Sequence, residues 1–66
     1  MDHIEESVLQ HLRNKIRIAM NERADHVASG GAQDFADYKH HCGVIEGLAL
    51  AERELLDLVE RMERAD

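Results

Sequence analysis

Only one place in these 66 residues can stop a helix. There is no proline, and Ser29-Gly30-Gly31 is the sole strong breaker. Gly30 suits the left-handed position that follows a helix C-terminus. On both sides of it, apolar residues recur at helical spacing. No alternating strand pattern, linker, repeat or low-complexity segment interrupts them. The spacing predicts an all-α fold, with a helix over about 3–28, a turn at 29–31 and a second helix over about 32–64. A short loop between two long helices makes them antiparallel neighbours, so the chain reads as a single helical hairpin.

The first helix begins at a capping-box pair, Asp2 with Glu5, and Glu6 adds a favourable charge near the N-terminal dipole. Ile4, Val8, Leu9, Leu12, Ile16, Ala19, Met20 and Val27 form one stripe. Ser7, Asn14, Lys15, Arg17 and Asn21 lie mostly off it, His11 sits at its edge, and Ile18 stands outside it. Arg13, Lys15, Arg17 and Arg23 make this helix locally basic, whereas the second helix carries most of the acid. The two helices are therefore electrostatically complementary.

In the second helix, Cys42 to Val59 is the most apolar part of the chain. With Phe35 at 0° and about 100° per residue, Tyr38, Cys42, Ile45, Leu48, Ala49, Leu55, Leu56, Val59 and Met62 fall between roughly 180° and 340°. That stripe is wider than a strict coiled-coil seam. A second apolar side holds Ala36, Gly43, Gly47, Leu50, Ala51 and Leu58. Gly43 and Gly47 each cost about 1 kcal/mol against alanine in a helix interior. Either another backbone approaches closely there, or they are tolerated weak points on a solvated face. The expected interface comprises Tyr38, Cys42 and Ile45 on the first stripe, and Gly43, Gly47, Leu50, Ala51 and Leu58 on the second. Asp34 and Asp37 serve the start of this helix, and Phe35 and Tyr38 are expected to close the turn end of the hairpin.

Two charges fall inside apolar stripes, Arg23 and Glu52. A buried carboxylate needs a partner. Glu52 either fixes register, as polar core groups do in coiled coils, or extends outward from the stripe's edge. At about 1.5 Å per residue, Arg23 lies about 10 Å from the turn and Glu52 about 31 Å, so they cannot meet within one hairpin. Two hairpins laid antiparallel would bring them within a turn of each other, and both belong to the expected interface.

His40, His41 and Cys42 invite a metal reading. Consecutive helical residues point about 100° apart, so the three cannot share one ion. A site would need His41 or Cys42 with a ligand from elsewhere, such as His26. A Cys-His nucleophile pair needs a pocket and a third orienting group, which two helices do not enclose. The expectation is no metal, no cofactor and no catalysis. Cys42 is read as a small core residue, and His41 as a partly buried histidine with a hydrogen-bond partner.

A chain this short has little core, and two-helix chains usually need a staple or a partner. One cysteine permits no internal disulfide and no zinc-type spacing, which fits a reducing cytoplasm. MDHIEES is acidic and lacks an apolar run, so no signal peptide is read there. The longest apolar run, Leu48 to Ala51, is far too short to span a membrane. A net charge of −6 argues against nonspecific binding to nucleic acid or anionic membrane.

From Gly31-Ala-Gln-Asp-Phe-Ala-Asp-Tyr-Lys, and then Gly43-Val-Ile-Glu-Gly-Leu-Ala-Leu-Ala-Glu-Arg-Glu-Leu-Leu-Asp-Leu, the chain resembles a set of small tailed-bacteriophage proteins. Their shared pattern is small-Ala-x-Asp-aromatic-Ala-x-Tyr followed by Gly-x-Ile-x-Gly-Leu, and the likeness covers about residues 29–59. Gly31 stands where that pattern often has a serine as helix N-cap. The resemblance implies an accessory or virion-assembly protein, in the host-cell cytoplasm or incorporated in the virion, and carries no catalytic residues. The expectation is a non-enzymatic hairpin that self-associates into a helical bundle and serves particle assembly with phage or host proteins. A small acidic inhibitor or regulator of a host protein is the alternative. A dimeric hairpin that binds structured RNA is a third reading, and it needs Arg13, Lys15 and Arg17 together on one free face.

Overall fold

The computed structural model describes residues 3–64, with side chains over residues 8–64. Two helices, α1 (His3–Ala28) and α2 (Phe35–Arg64), pack against each other as a hairpin, and no strand occurs among the described residues. The expected Asp2–Glu5 cap and the place of Ile4 lie outside the described side chains.

The turn shows why the chain reverses here. The Gly31 N–H donates to the His26 carbonyl at 2.8 Å, and the Gly30 N–H to the Val27 carbonyl at 3.0 Å. This crossed pair is the Schellman closure. It needs a left-handed residue between its two donors, and Gly30 supplies it with φ of +84°. Gly31 is glycine for another reason. A β-carbon there would overlap the His26 ring, so a serine at this position requires that ring to move.

Nor does position 31 cap the second helix. α2 starts at Phe35, three residues later than the sequence suggested, because Asp34 is the cap. Its Oδ1 accepts the Asp37 N–H at 2.8 Å, and its carbonyl accepts the first helical bond from Tyr38 at 2.9 Å. Asp37 reaches back to accept the Gln33 N–H at 3.0 Å. One orphan donor of the first turn, the Asp37 N–H, is thus satisfied by the cap, and the Gln33 N–H just ahead of the cap is held by Asp37.

The buried seam is narrower than the stripes expected from the sequence. On α1 the covered positions are Leu9, Arg13, Ile16, Met20, Arg23 and Val27, in alternating steps of four and three. On α2 the seam runs through His41, Ile45, Leu48, Glu52, Leu55, Val59 and Met62 in the same rhythm, with Asp37, Cys42, Val44 and Ala49 half-buried beside it. One partner helix covers little more than this a/d strip. Several apolar residues beside the strip stay in water: Val8 is 61% exposed, Leu12 47%, Tyr38 42% and Leu56 40%. Phe35, the first helical residue of α2, is 74% exposed and stacks loosely on Tyr38, ring centroids 6.1 Å apart. The aromatics therefore pair with each other and do not close the hairpin end.

The result is a rod of 50 × 15 × 11 Å. Its radius of gyration is 15.2 Å, against about 11 Å for a compact domain of this length. Among the described residues, none of the helices is long and apolar enough to cross a membrane.

Candidate interaction surfaces

Midway along the seam sits a charged layer. Glu52 is 7% exposed, and Arg17 grips it with two parallel bonds, Nε to Oε2 at 3.1 Å and Nη2 to Oε1 at 2.6 Å. The Nε of Arg13 stands 3.7 Å from Oε2. A fork-on-fork arginine contact is the strong form of this interaction, and it satisfies the desolvated carboxylate. Glu52 is thus a buried, partnered group and does not extend outward. Arg17, read as off the stripe, reaches over the flank with half of its side chain still in water. The signal that locates this pair is axial height. Arg13 and Glu52 lie equally far from the turn, and Arg17 is one helical turn nearer.

Arg23 has a different partner. Its Nη1 lies 2.9 Å from His41 Nδ1. Guanidinium has no acceptor, so the imidazole nitrogen accepts and the ring carries its proton on Nε2. That nitrogen faces Asp37 Oδ1 at 3.4 Å. His26 packs edge-on against His41 with centroids 5.1 Å apart. The Gln33 N–H holds the Asp37 carboxyl below its ordinary value, and the His41 ring adds to the effect. Both seam charges, Arg23 and Glu52, therefore have partners inside their own hairpin, so neither requires the pairing expected across two chains. His41 is the partly buried, bonded histidine that its position suggested. Among the described residues, no three His, Cys, Asp or Glu side chains are grouped to hold a metal ion.

The remaining candidate residues divide by direction. Ile45 is in the seam, half-buried. Tyr38, Cys42, Ala49 and Leu56 share the flank of α2 on the Arg17 side, where Cys42 hydrogen-bonds the Tyr38 hydroxyl and pushes its pKa up. Gly43 and Leu50 point away from α1. Gly47, Ala51 and Leu58 line the other flank, in the same row as Val44. Within the chain, nothing comes within 4 Å of a β-carbon built at Gly43 or Gly47, so no close backbone approach occurs there inside the hairpin.

That second flank has a relief. Near the turn it opens into a shallow groove lined by Ala19, Glu22, Arg23, His26, His41, Val44 and Leu48. Towards the free ends of the helices it carries Val8, Leu12 and Leu58, which are 61%, 47% and 43% exposed. The opposite flank is apolar on α2 alone, because Arg13 and Arg17 occupy its α1 side. Set against protein-family models, curated proteins and solved structures, the chain matches none of them.

Proposed function

We propose that this chain is a non-enzymatic structural or assembly protein that acts through helix packing, completed by self-association into a helical bundle. One observation carries the reading. Among the described residues the hairpin buries a single apolar side chain, Leu55, while Val8, Leu12, Ile18, Leu50, Leu56 and Leu58 are each at least 40% exposed. A lone hairpin of this kind lacks the core that holds a small domain together. The setting we assign, tailed-phage particle assembly, rests on the sequence pattern of residues 31–59, with phage or host proteins as partners.

Sedimentation equilibrium over a hundredfold range of concentration tests the association. The expected result is a mass of two chains or more, dissociating on dilution together with loss of helicity. A stably helical monomer at all concentrations would overturn it. Mass spectrometry of purified virions tests the setting, and absence of the chain from particles would favour the regulator.

The acidic-regulator reading has its own support. Glu46, Glu54 and Asp57 are all exposed on α2 and can meet a cationic partner. A host protein captured by the wild type, and lost on Glu46→Lys with Asp57→Lys, would favour it. The RNA reading loses ground, since Arg13 and Arg17 are engaged with Glu52 and Lys15 lies on the other flank.

A further inference from the structure

Resting on the self-association reading, we infer which face is used and how the second copy lies. The grooved flank binds the same flank of a second hairpin running the opposite way, so that Val8 and Leu58 of each chain seat in the other's turn-proximal groove.

Three observations lead there. First, towards the free ends the flank is apolar on both helices, and in the groove Ala19, Val44 and Leu48 lie among Glu22, Arg23, His26 and His41. Val8, Leu12 and Ala19 lie in one row of α1, and Val44, Gly47, Ala51 and Leu58 in one row of α2. Lys15 and Glu54, the charged residues between them, are exposed and long enough to keep their charge at the rim. Second, the area suits a dimer. A rod side of 50 by 15 Å presents about 750 Å² to a partner, close to the 800 Å² per partner of a stable interface.

Third, the two ends of the flank are complementary in shape. At about 1.5 Å per residue, Val8 stands about 33 Å and Leu58 about 40 Å from the turn, and the groove centres about 15 Å from it. Overlap two hairpins head to tail along their 50 Å length, and the ridge of one falls about 10–17 Å from the turn of the other, over the groove. In the same register Gly47 lies about 24 Å from either turn, at the two-fold axis, and Ala51 one helical turn beyond it, about 10 Å along the axis from its own copy. There α2 meets α2 of the other copy through residues small enough for close approach. The groove is left open in the single hairpin because the residues that fill it belong to the other end of a second one.

The test is thiol cross-linking of the full chain. In a Cys42→Ser background, Ala51→Cys should give a covalent dimer with a short bismaleimide, and Leu50→Cys, pointing away from the flank, should give little. Val8→Glu and Leu58→Glu should each raise the dimer dissociation constant at least tenfold, while Leu56→Glu on the other flank leaves it within about twofold. If the wild type sediments as a dimer but Ala51→Cys does not cross-link and Leu56→Glu dissociates it, this face is wrong and self-association stands. If the wild type is monomeric, both fail.

Discussion

Glu52 shows how one side chain can be costly and well held together. Its carboxylate lies in the seam, and its stability depends on Arg17, which is half in water. Arg17→Ala should therefore destabilise the protein by about 1–2 kcal/mol, less than for a fully buried pair, because Arg13 remains and solvent screens the site. Glu52→Leu should be neutral or stabilising, since a leucine there needs no partner. Urea titrations of both variants check this, and a large loss for Glu52→Leu would mean that the charge itself is required. At the turn, Gly31→Ser should cost about 1 kcal/mol or more by displacing the His26 ring from His41. Gly30→Ala should cost at least as much, through its positive φ. At this scale the sequence was partly legible. That Glu52 and Arg23 were special followed from their wheel positions, but their partners did not. Angle tells which side chains face the seam, and only angle joined with axial height tells which of them meet.

For the helices, legibility was higher at the break than at the margins. A prolineless chain with one Ser-Gly-Gly leaves no other place to turn, and the hairpin follows. The start of α2 was harder to read, because Gly31, Asp34 and Asp37 are each able to begin a helix. The deciding fact is geometric: Asp34 accepts the Asp37 N–H and Asp37 accepts the Gln33 N–H, whereas Gly31 is occupied in closing α1. Asp34→Ala should cost about 1 kcal/mol and fray the first turn of α2, seen in hydrogen exchange at Ala36 and Asp37. The Asp37 carboxyl titrates below its ordinary 3.8 in the folded chain. Its contribution is therefore complete above about pH 4 and is lost as pH falls through the lowered value. Asp37→Asn should flatten that acid limb of the melting curve without steepening it near neutrality. Gly43 and Gly47 have equal room within the hairpin. Gly43→Ala should stabilise by about 1 kcal/mol in any state of association. Gly47→Leu should raise helix propensity yet weaken the dimer, and the two variants differ only if a second backbone comes near Gly47.

On the scale of the whole molecule, the widths of the stripes were misleading in an informative way. Sequence periodicity marks the apolar faces of a helix without saying what covers them, whereas one hairpin covers little beyond its seam. The excess, Val8, Leu12, Leu56 and Leu58, is apolar surface that the fold alone does not use. If association covers part of it, the melting temperature should rise with protein concentration, because association stabilises only the folded chain. A midpoint unchanged over a hundredfold dilution would contradict this. The thin seam has a calorimetric consequence too. Unfolding a globular domain raises the heat capacity by about 12–15 cal/mol/K per residue, mostly through hydration of apolar surface. A hairpin whose described residues bury one leucine exposes little new surface, so its increment per residue should fall well below that range. Its stability curve should then be shallow, its urea slope small and its melt broad. A scanning calorimetry series from dilute to concentrated protein would see the heat capacity step grow as chains pair, and its growth measures the apolar area that a single chain leaves in water.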